Sequence, residues 1–278
     1  MAGVVPIPVV WATDVTSVAQ KDNVYDAMDY LNQPWDDSPP YPRGRWLSNA
    51  AGLGEVHLYY DSNHAFSSSQ LVNDMSSRLN GNWNRARIFI HINQGAQICS
   101  GDVNSPTMWF GGDMVNVEFI KIINNGYIYG RGASAKPFDD WSGWGAQGGT
   151  AIYSELGGKL QIENYGQVRG GGGSGIGEWG DGAARGGGGG GAPLGIGHGS
   201  FGEGSPSTSA TFFEKGLGAR SVGDRITMGD GGGPGDQGGV GRYAPGDRGG
   251  QPGFYFHGAG RGAAWWIVPG DQRGYYTE

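Results

Sequence analysis

Cysteine occurs once in this 278-residue chain, at Cys99. No intrachain disulfide can form, so stability has to come from packing and backbone pairing. No stretch approaches the roughly 20 consecutive apolar residues that a membrane-crossing helix needs. The opening residues, Met1 to Trp11, have no basic segment, and Pro6 and Pro8 interrupt their apolar run, so they do not read as a secretory signal. An excess of basic charge is also missing. The 26 acidic residues outnumber the 19 basic ones, for a net charge of -7, which argues against a generic binder of phosphate backbones.

Glycine is the residue in excess, and its distribution is uneven. Of 58 glycines, nine lie in residues 1–125 and 49 in residues 126–278. The glycine-rich part has only seven prolines and no sustained Gly-X-Y register, which excludes collagen. It also carries Trp141, Trp144, Trp179, Trp265 and Trp266 with many Tyr and Phe, too much aromatic surface for a flexible linker.

Residues 1–54 read as largely irregular, with a proline cluster from Pro34 to Pro42. From Glu55 to Tyr60, the residues Val56, Leu58 and Tyr60 alternate with Glu55, His57 and Tyr59, as in a strand with one buried face. Gln70 to Leu79 suits one short helix. Residues 86–92 form a second alternating run, with Ile88, Ile90 and Ile92 on one face. An internal repeat follows at an offset of 40. Ile120, Ile122, Asn124, Gly126, Ile128, Gly130 and Gly132 reappear in type as Leu160, Ile162, Asn164, Gly166, Val168, Gly170 and Gly172. Alternate residues of a strand share a face, so each copy reads as a strand whose buried face passes from aliphatic to Asn to glycine. A fainter third copy, Ile90, Ile92, Gln94, Ala96 and Ile98, sits 30 residues before the first.

Ordering glycine costs about 1–2 kcal/mol per residue, with no side chain to bury in return. An extended helix of the polyproline-II type turns every N–H and C=O outward. Glycine lets such helices approach closely enough for each to donate to the next. Each bond nets about 0.5–1.5 kcal/mol, so the array needs clamps, for which 117–128, 157–168 and Ala263 to Val268 are candidates. The expected fold is a mostly β domain at 1–116 with little helix, and at 117–278 a glycine-rich domain built as a sandwich of polyglycine-II helices.

Catalytic patterns fail. Gly130-Arg-Gly-Ala-Ser-Ala135 fits a loose dinucleotide fingerprint, but Lys136-Pro137 follows where a helix should open. No phosphate-binding loop or nucleophile elbow is present. His57, His64, His91, His198 and His257 lack metal-ligand spacing. Asp181, Asp230, Asp236, Asp247 and Asp271 flank glycines without completing a calcium repeat. Neither enzyme, cofactor nor metal is expected. Arg-Gly-Gly at Arg169, Arg185 and Arg248 resembles RNA-binding segments, yet the surroundings are net acidic.

Around the repeat, the sequence resembles the receptor-recognising adhesins at the tips of T-even-like phage long tail fibres. The resemblance is carried by Tyr127-Ile-Tyr-Gly-Arg-Gly132, Gly148-Gly-Thr-Ala-Ile152, Gly157 to Gly173 and Gly186 to Gly191 with Ala-Pro-Leu-Gly195. Weaker echoes are the leader ending at Trp11, Arg45 to Gly52, and Asn80 to Arg87. It implies a non-enzymatic virion protein, made without a signal peptide, whose N-terminal region docks on the distal end of a trimeric tail-fibre protein. Its glycine-rich part would touch an outer-membrane β-barrel receptor of the host, with lipopolysaccharide an additional candidate partner and no role for nucleic acid. A fibre-assembly chaperone, an RGG-type nucleic-acid binder and a fibrous structural protein are the competing readings.

By position, the variable segments of that family fall at about 133–147, 176–184, 200–215 and 242–257. The receptor-contact candidates there are Phe138, Asp139, Asp140, Trp141, Trp144, Trp179, Asp181, Phe201, Phe212, Phe213, Arg242, Tyr243, Phe254, Tyr255 and Phe256, since aromatics and Arg dominate binding hot spots. Capping of the glycine helices is the competing role for Phe212, Phe213 and 254–256. Trp265 and Trp266, beside Ile267 and Val268, read as core. Val4, Val5, Ile7, Val9, Val10 and Trp11 form an apolar leader that would dock on the fibre or pack on the chain's own strands.

Overall fold

Each alternating run becomes one rung of a parallel stack. The structure, a computed structural model, describes residues 3–4, 54–81, 83–135, 145–176, 178–179, 185–186, 188–199, 204–221, 228–240, 249–258 and 264–277. After β1 (Gly3–Val4), a first coil comprises β2 (Gly54–Tyr60), β3 (Asn63–Phe66) and helix α1 (Ser68–Arg78). The second has β4 (Ala86–Ile92), β5 (Gln97–Ser100) and β6 (Met108–Phe110), and the third β7 (Phe119–Asn124), β8 (Tyr127–Tyr129) and β9 (Ile152–Ser154). In the fourth, β10 (Leu160–Asn164) and β11 (Gln167–Arg169) are followed by the short pieces β12 (Glu178–Trp179), β13 (Arg185–Gly186), β14 (Gly204–Ser205) and β15 (Arg220–Ser221) before β16 (Phe254–Gly258). The last coil is β17 (Trp265–Val268), β18 (Asp271–Arg273) and β19 (Tyr275–Thr277).

Equivalent strands of successive coils pair in parallel. One face runs β1-β2-β4-β7-β10-β17, a second β3-β5-β8-β11-β18 and a third β6-β9-β16-β19, with β1 antiparallel on β2. Each coil by itself exposes an apolar face, and stacking buries it. The interior is filled by Val56, Leu58, Ile88, Ile90, Ile120, Ile122, Leu160 and Ile162 from the first face. Ile98, Ile128 and Val168 fill it from the second, and Met108, Phe110, Ile152 and Phe256 from the third. In the first coil α1 replaces a strand of the third face. Ser67 caps its start by accepting from the Gln70 N–H at 3.1 Å, and Leu71, Met75 and Leu79, four residues apart, are buried. The chain leaves it through Asn80 and Gly81, both with positive φ.

The offset of 40 is the register of two neighbouring rungs. Ile120 faces Leu160, Ile122 faces Ile162 and Asn124 faces Asn164, while Ile128 faces Val168. The two asparagines stack at the turn between first and second faces. Asn124 Nδ2 donates to Asn164 Oδ1 at 2.7 Å, Asn164 Nδ2 donates to the Pro269 carbonyl at 2.8 Å, and Asn124 Oδ1 accepts from the Gly126 N–H at 3.0 Å. Polar side chains are therefore used where the backbone turns and cannot pair with itself.

The fainter third copy needs correction. Ile98 does face Ile128, but Ile90 faces Ile122, not Ile120, because the corner between β4 and β5 is two residues longer than that between β7 and β8. Trp265 also departs from expectation. It stands 46 % exposed, whereas Trp266 packs edge-on against Phe256 and Tyr255 at 6.0 Å. The expected boundary at 116/117 lies immediately before β7, whose partner β4 precedes it in the same sheet. The expected boundary is thus not a break in hydrogen bonding.

Candidate functional site

The glycine-rich residues leave the stack at one corner, between the second and third faces. Residues 130–151 intervene between β8 and β9, and 170–253 between β11 and β16. The described residues of both excursions form extended segments that bond to one another through backbone. Along 171–176 the partners rotate with a period of three. Gly171 and Ser174 donate to Gly149 and Ala146 (2.9 and 3.0 Å), Gly172 and Gly175 to Ala192 and Gly189 (2.6 and 2.9 Å), and Gly173 and Ile176 to Asp236 and Gly239 (3.1 and 3.4 Å). The next segment behaves likewise: Gly189 and Ala192 donate to Gly229 and Gly232, Gly190 to Thr208 and Gly191 to Ala133. The central segments thus have neighbours on three sides.

Glycine is required by the spacing. A Cβ added at Gly173 would lie 1.8 Å from the Gly250 oxygen, and one at Gly231 1.8 Å from the Gly190 oxygen. Those neighbours are backbone and cannot rotate aside. Ser174 is the exception that fits: it is fully buried, and its hydroxyl accepts from the Ala146 N–H at 2.8 Å.

The bonding register gives the array two different ends. Residues near 193–194, 212–214 and 234–235 turn back beside the stack. Phe212, only 5 % exposed, stacks on Tyr129 of β8 at 5.1 Å and on His64 of β3 at 5.0 Å. Phe213 meets Tyr127 edge-on at 5.0 Å, and the glycine turn at Gly235 lies against Arg273 of β18. The opposite end collects the ends of segments at 135 and 145, 176 and 188, 199 and 207, 219 and 228, and 239 and 249. Five intervals therefore open from that one end; one of them bears the small ladder β12–β13, and two others are joined by the ladder β14–β15.

This polarity sorts the candidate contact residues. Phe138, Asp139, Asp140, Trp141, Trp144, Asp181, Phe201, Arg242 and Tyr243 fall in those intervals and outside the described residues. Trp179 belongs to β12, in the same set of intervals. Phe212 and Phe256 need correction, because both are buried at the other end: the first clamps a turn to the stack, the second points into it by strand alternation. Phe213, 45 % exposed, is also at the stack end, as are Phe254 and Tyr255 of β16. One interval, 222–227, escaped the sequence reading, since it has neither an aromatic nor a glycine run to mark it. Of the leader, Val4 pairs with Gly54; Val5, Ile7, Val9, Val10 and Trp11 fall outside the described residues.

Residues 55–277 match the family model for the phage tail fibre adhesin Gp38. The chain belongs to that family. The match takes in all five coils and both glycine excursions of this Gp38-family adhesin. Its fold is also that of a chain in the crystal structure of the gp37-gp38 adhesin tip complex of the bacteriophage S16 long tail fiber. The TM-score is 0.72 and the identity 24 %, over 98 % of this chain and 100 % of that one.

Several ionisable groups among the described residues take part in the packing of the adhesin. Burial pushes the Cys99 thiol up to about 11, which makes it a poor nucleophile. Burial likewise pushes the Tyr129 phenol up to about 12. Arg169, from one of the Arg-Gly-Gly triplets, pairs with Asp271 on the adjoining rung. Among the described residues, no group of three or more His, Cys, Asp or Glu could hold a metal ion, and no helix is long and apolar enough to cross a membrane.

Proposed function

We propose that this adhesin sits at the distal tip of a phage tail fibre and binds a host outer-membrane β-barrel protein to start adsorption, without catalysing a reaction. The observation that carries the reading is the polarity of the glycine array. Five variable-length intervals leave from one end, and three short turns anchor the other. Recognition by exposed aromatics on a rigid support is economical, because little side-chain or loop entropy is lost on contact. Trp141, Trp144 and Trp179 are the first residues to test there. A fibre-assembly chaperone would have no use for such an end, and an RGG-type nucleic-acid binder would present basic residues where Arg169 is already paired.

The array itself is read as a sandwich of polyglycine-II helices. Bond partners that rotate every third residue support this, because that conformation has three residues per turn and no internal bonds. The division between residues 1–116 for fibre attachment and 117–278 for recognition is one of role, since strands on both sides share sheets. The matching S16 chain comes from a gp37-gp38 adhesin tip complex, and we infer a tail-fibre partner for this chain, a trimeric distal fibre protein contacted through the leader at Val4 to Trp11, which places the protein in the virion. Deleting residues 1–12 should abolish capture by the fibre tip; full capture would reject that role. Exchanging 136–144 and 177–187 for those of another adhesin should carry host range with them, and an unchanged host range would reject recognition by this end.

A further inference from the structure

We propose a second binding site on the stack itself, a groove for a neutral oligosaccharide of two to three residues, independent of the receptor-recognition end. A cleft of about 490 Å³ runs along the turn between the first and second faces. It is lined by Tyr59, His91, Ile92, Asn93, Gln94, Asn125 and Tyr165. These residues belong to four successive coils, so the groove follows the stacking direction. With rungs about 4.8 Å apart it spans about 14 Å from Tyr59 to Tyr165.

The lining suits a sugar for three reasons. First, its two ends are aromatic. Tyr59 is 65 % exposed and Tyr165 60 % exposed, so both rings are accessible to a ligand. The Tyr59 ring is stacked at 4.5 Å and 12° on His91 of the next rung, which itself lines the cleft. His91 in turn shares a 3.0 Å hydrogen bond with His57. One face of Tyr59 is thereby supported while the ring stays largely in solvent, as a platform for the C–H face of a pyranose must be.

Second, the floor between the rings is made of amides. Asn93, Gln94 and Asn125 are exposed at consecutive corners. Each amide offers two donors and an acceptor, the complement of vicinal hydroxyls. Asn93 is oriented, its Nδ2 donating to Asp61 Oδ1 at 2.9 Å, which leaves its oxygen as an acceptor. Third, the charge is wrong for an anion. Asp61 borders the floor through Asn93, and Glu163 lies beside Tyr165, with Oε2 3.4 Å from its hydroxyl. The Lys121 ammonium nearby is committed to Glu163 at 3.0 Å. A phosphorylated or sialylated glycan would meet carboxylates, whereas a neutral one would not.

The test is saturation-transfer NMR and calorimetry on the full chain with two neutral probes: a synthetic hexose trisaccharide of the lipopolysaccharide outer core of a bacterium that the phage infects, and maltotriose. Binding of the core oligosaccharide alone identifies a cell-surface ligand, and binding of both a general glucan site. In either case Tyr59→Ala and Tyr165→Ala should each weaken affinity about tenfold or more. Both positions are exposed, so the variants should keep the wild-type melting temperature and the host range set by the distal end. No binding of either probe at about 10 mM, where a dissociation constant corresponds to only about 3 kcal/mol of binding free energy, or binding that survives the double substitution, would overturn the proposal. Neither result would touch the reading of the distal end.

Discussion

The stack and the glycine array answer the same problem with opposite materials. In the stack, coils are held apart by Ile, Leu, Val and Phe, and the area those side chains bury supplies the stability, about 1.5–3 kcal/mol for each large residue. In the array there is almost nothing to bury, and backbone packs on backbone. The two meet at Phe212, where an aromatic in a turn of the array stacks on Tyr129 of the stack. A region without side chains can be rigid when every N–H has a partner, but it then tolerates no added atom. The region with side chains is robust to small changes, and the region without them should be brittle.

The sharpest way to break that contrast is a pair of glycine substitutions. Gly173→Val places atoms where even a Cβ would lie 1.8 Å from a carbonyl oxygen. It should cost about 4 kcal/mol or more and unfold the array. Gly158→Ala, in the stack, has nothing within 4 Å and should leave the thermal midpoint unchanged or slightly raised. If the two variants melted alike, brittleness would not be confined to the array.

A smaller loss, about 3 kcal/mol, is expected for Ile90→Ala in the stack interior, by denaturant unfolding. It should act on the coils while leaving the array's backbone bonds in place. Next comes Asn124→Ala, which strands the Asn164 oxygen and the Gly126 N–H and should cost about 2 kcal/mol. Asn124→Asp is no remedy, because it puts a charge where a donor is needed. Smallest is a pH effect. Burial, and then the electrostatic influence of the neighbouring His57, hold the His91 imidazole below its ordinary value. The unfolded chain therefore binds the proton first, and stability present above about pH 6.5 is lost as pH falls below it. Melting temperature should fall between pH 7.5 and 5.5, and less so in His91→Asn.

Much of the stack was legible in the sequence, because alternation in 55–60 and 86–92 and the offset of 40 are direct images of strand and register. The closed three-faced path was not. Equivalent strands of the first face are separated by 32 residues from Val56 to Ile88 and from Ile88 to Ile120, by 40 from Ile120 to Leu160, and by 104 from Gln161 to Trp265. Unequal excursions at one corner hide the period. The array was legible as glycine but its polarity was not. The sequence left Phe212 and Phe256 between contact and capping roles, and burial with the ring contacts of Phe212 assigns them to the stack end. The groove at Tyr59 and Tyr165 was invisible for the same reason, since its lining residues are brought together only by stacking.

The most direct test of the central claim, that glycine packing makes a scaffold as ordered as the side-chain-packed stack, is amide hydrogen exchange on the intact protein. The N–H groups of 171–176 and 189–192 should be protected to within about tenfold of those of 119–124, as expected if they open in cooperative units comparable to the core. Exchange of the glycine amides at the rate of an unstructured chain, with β7 still protected, would contradict the account.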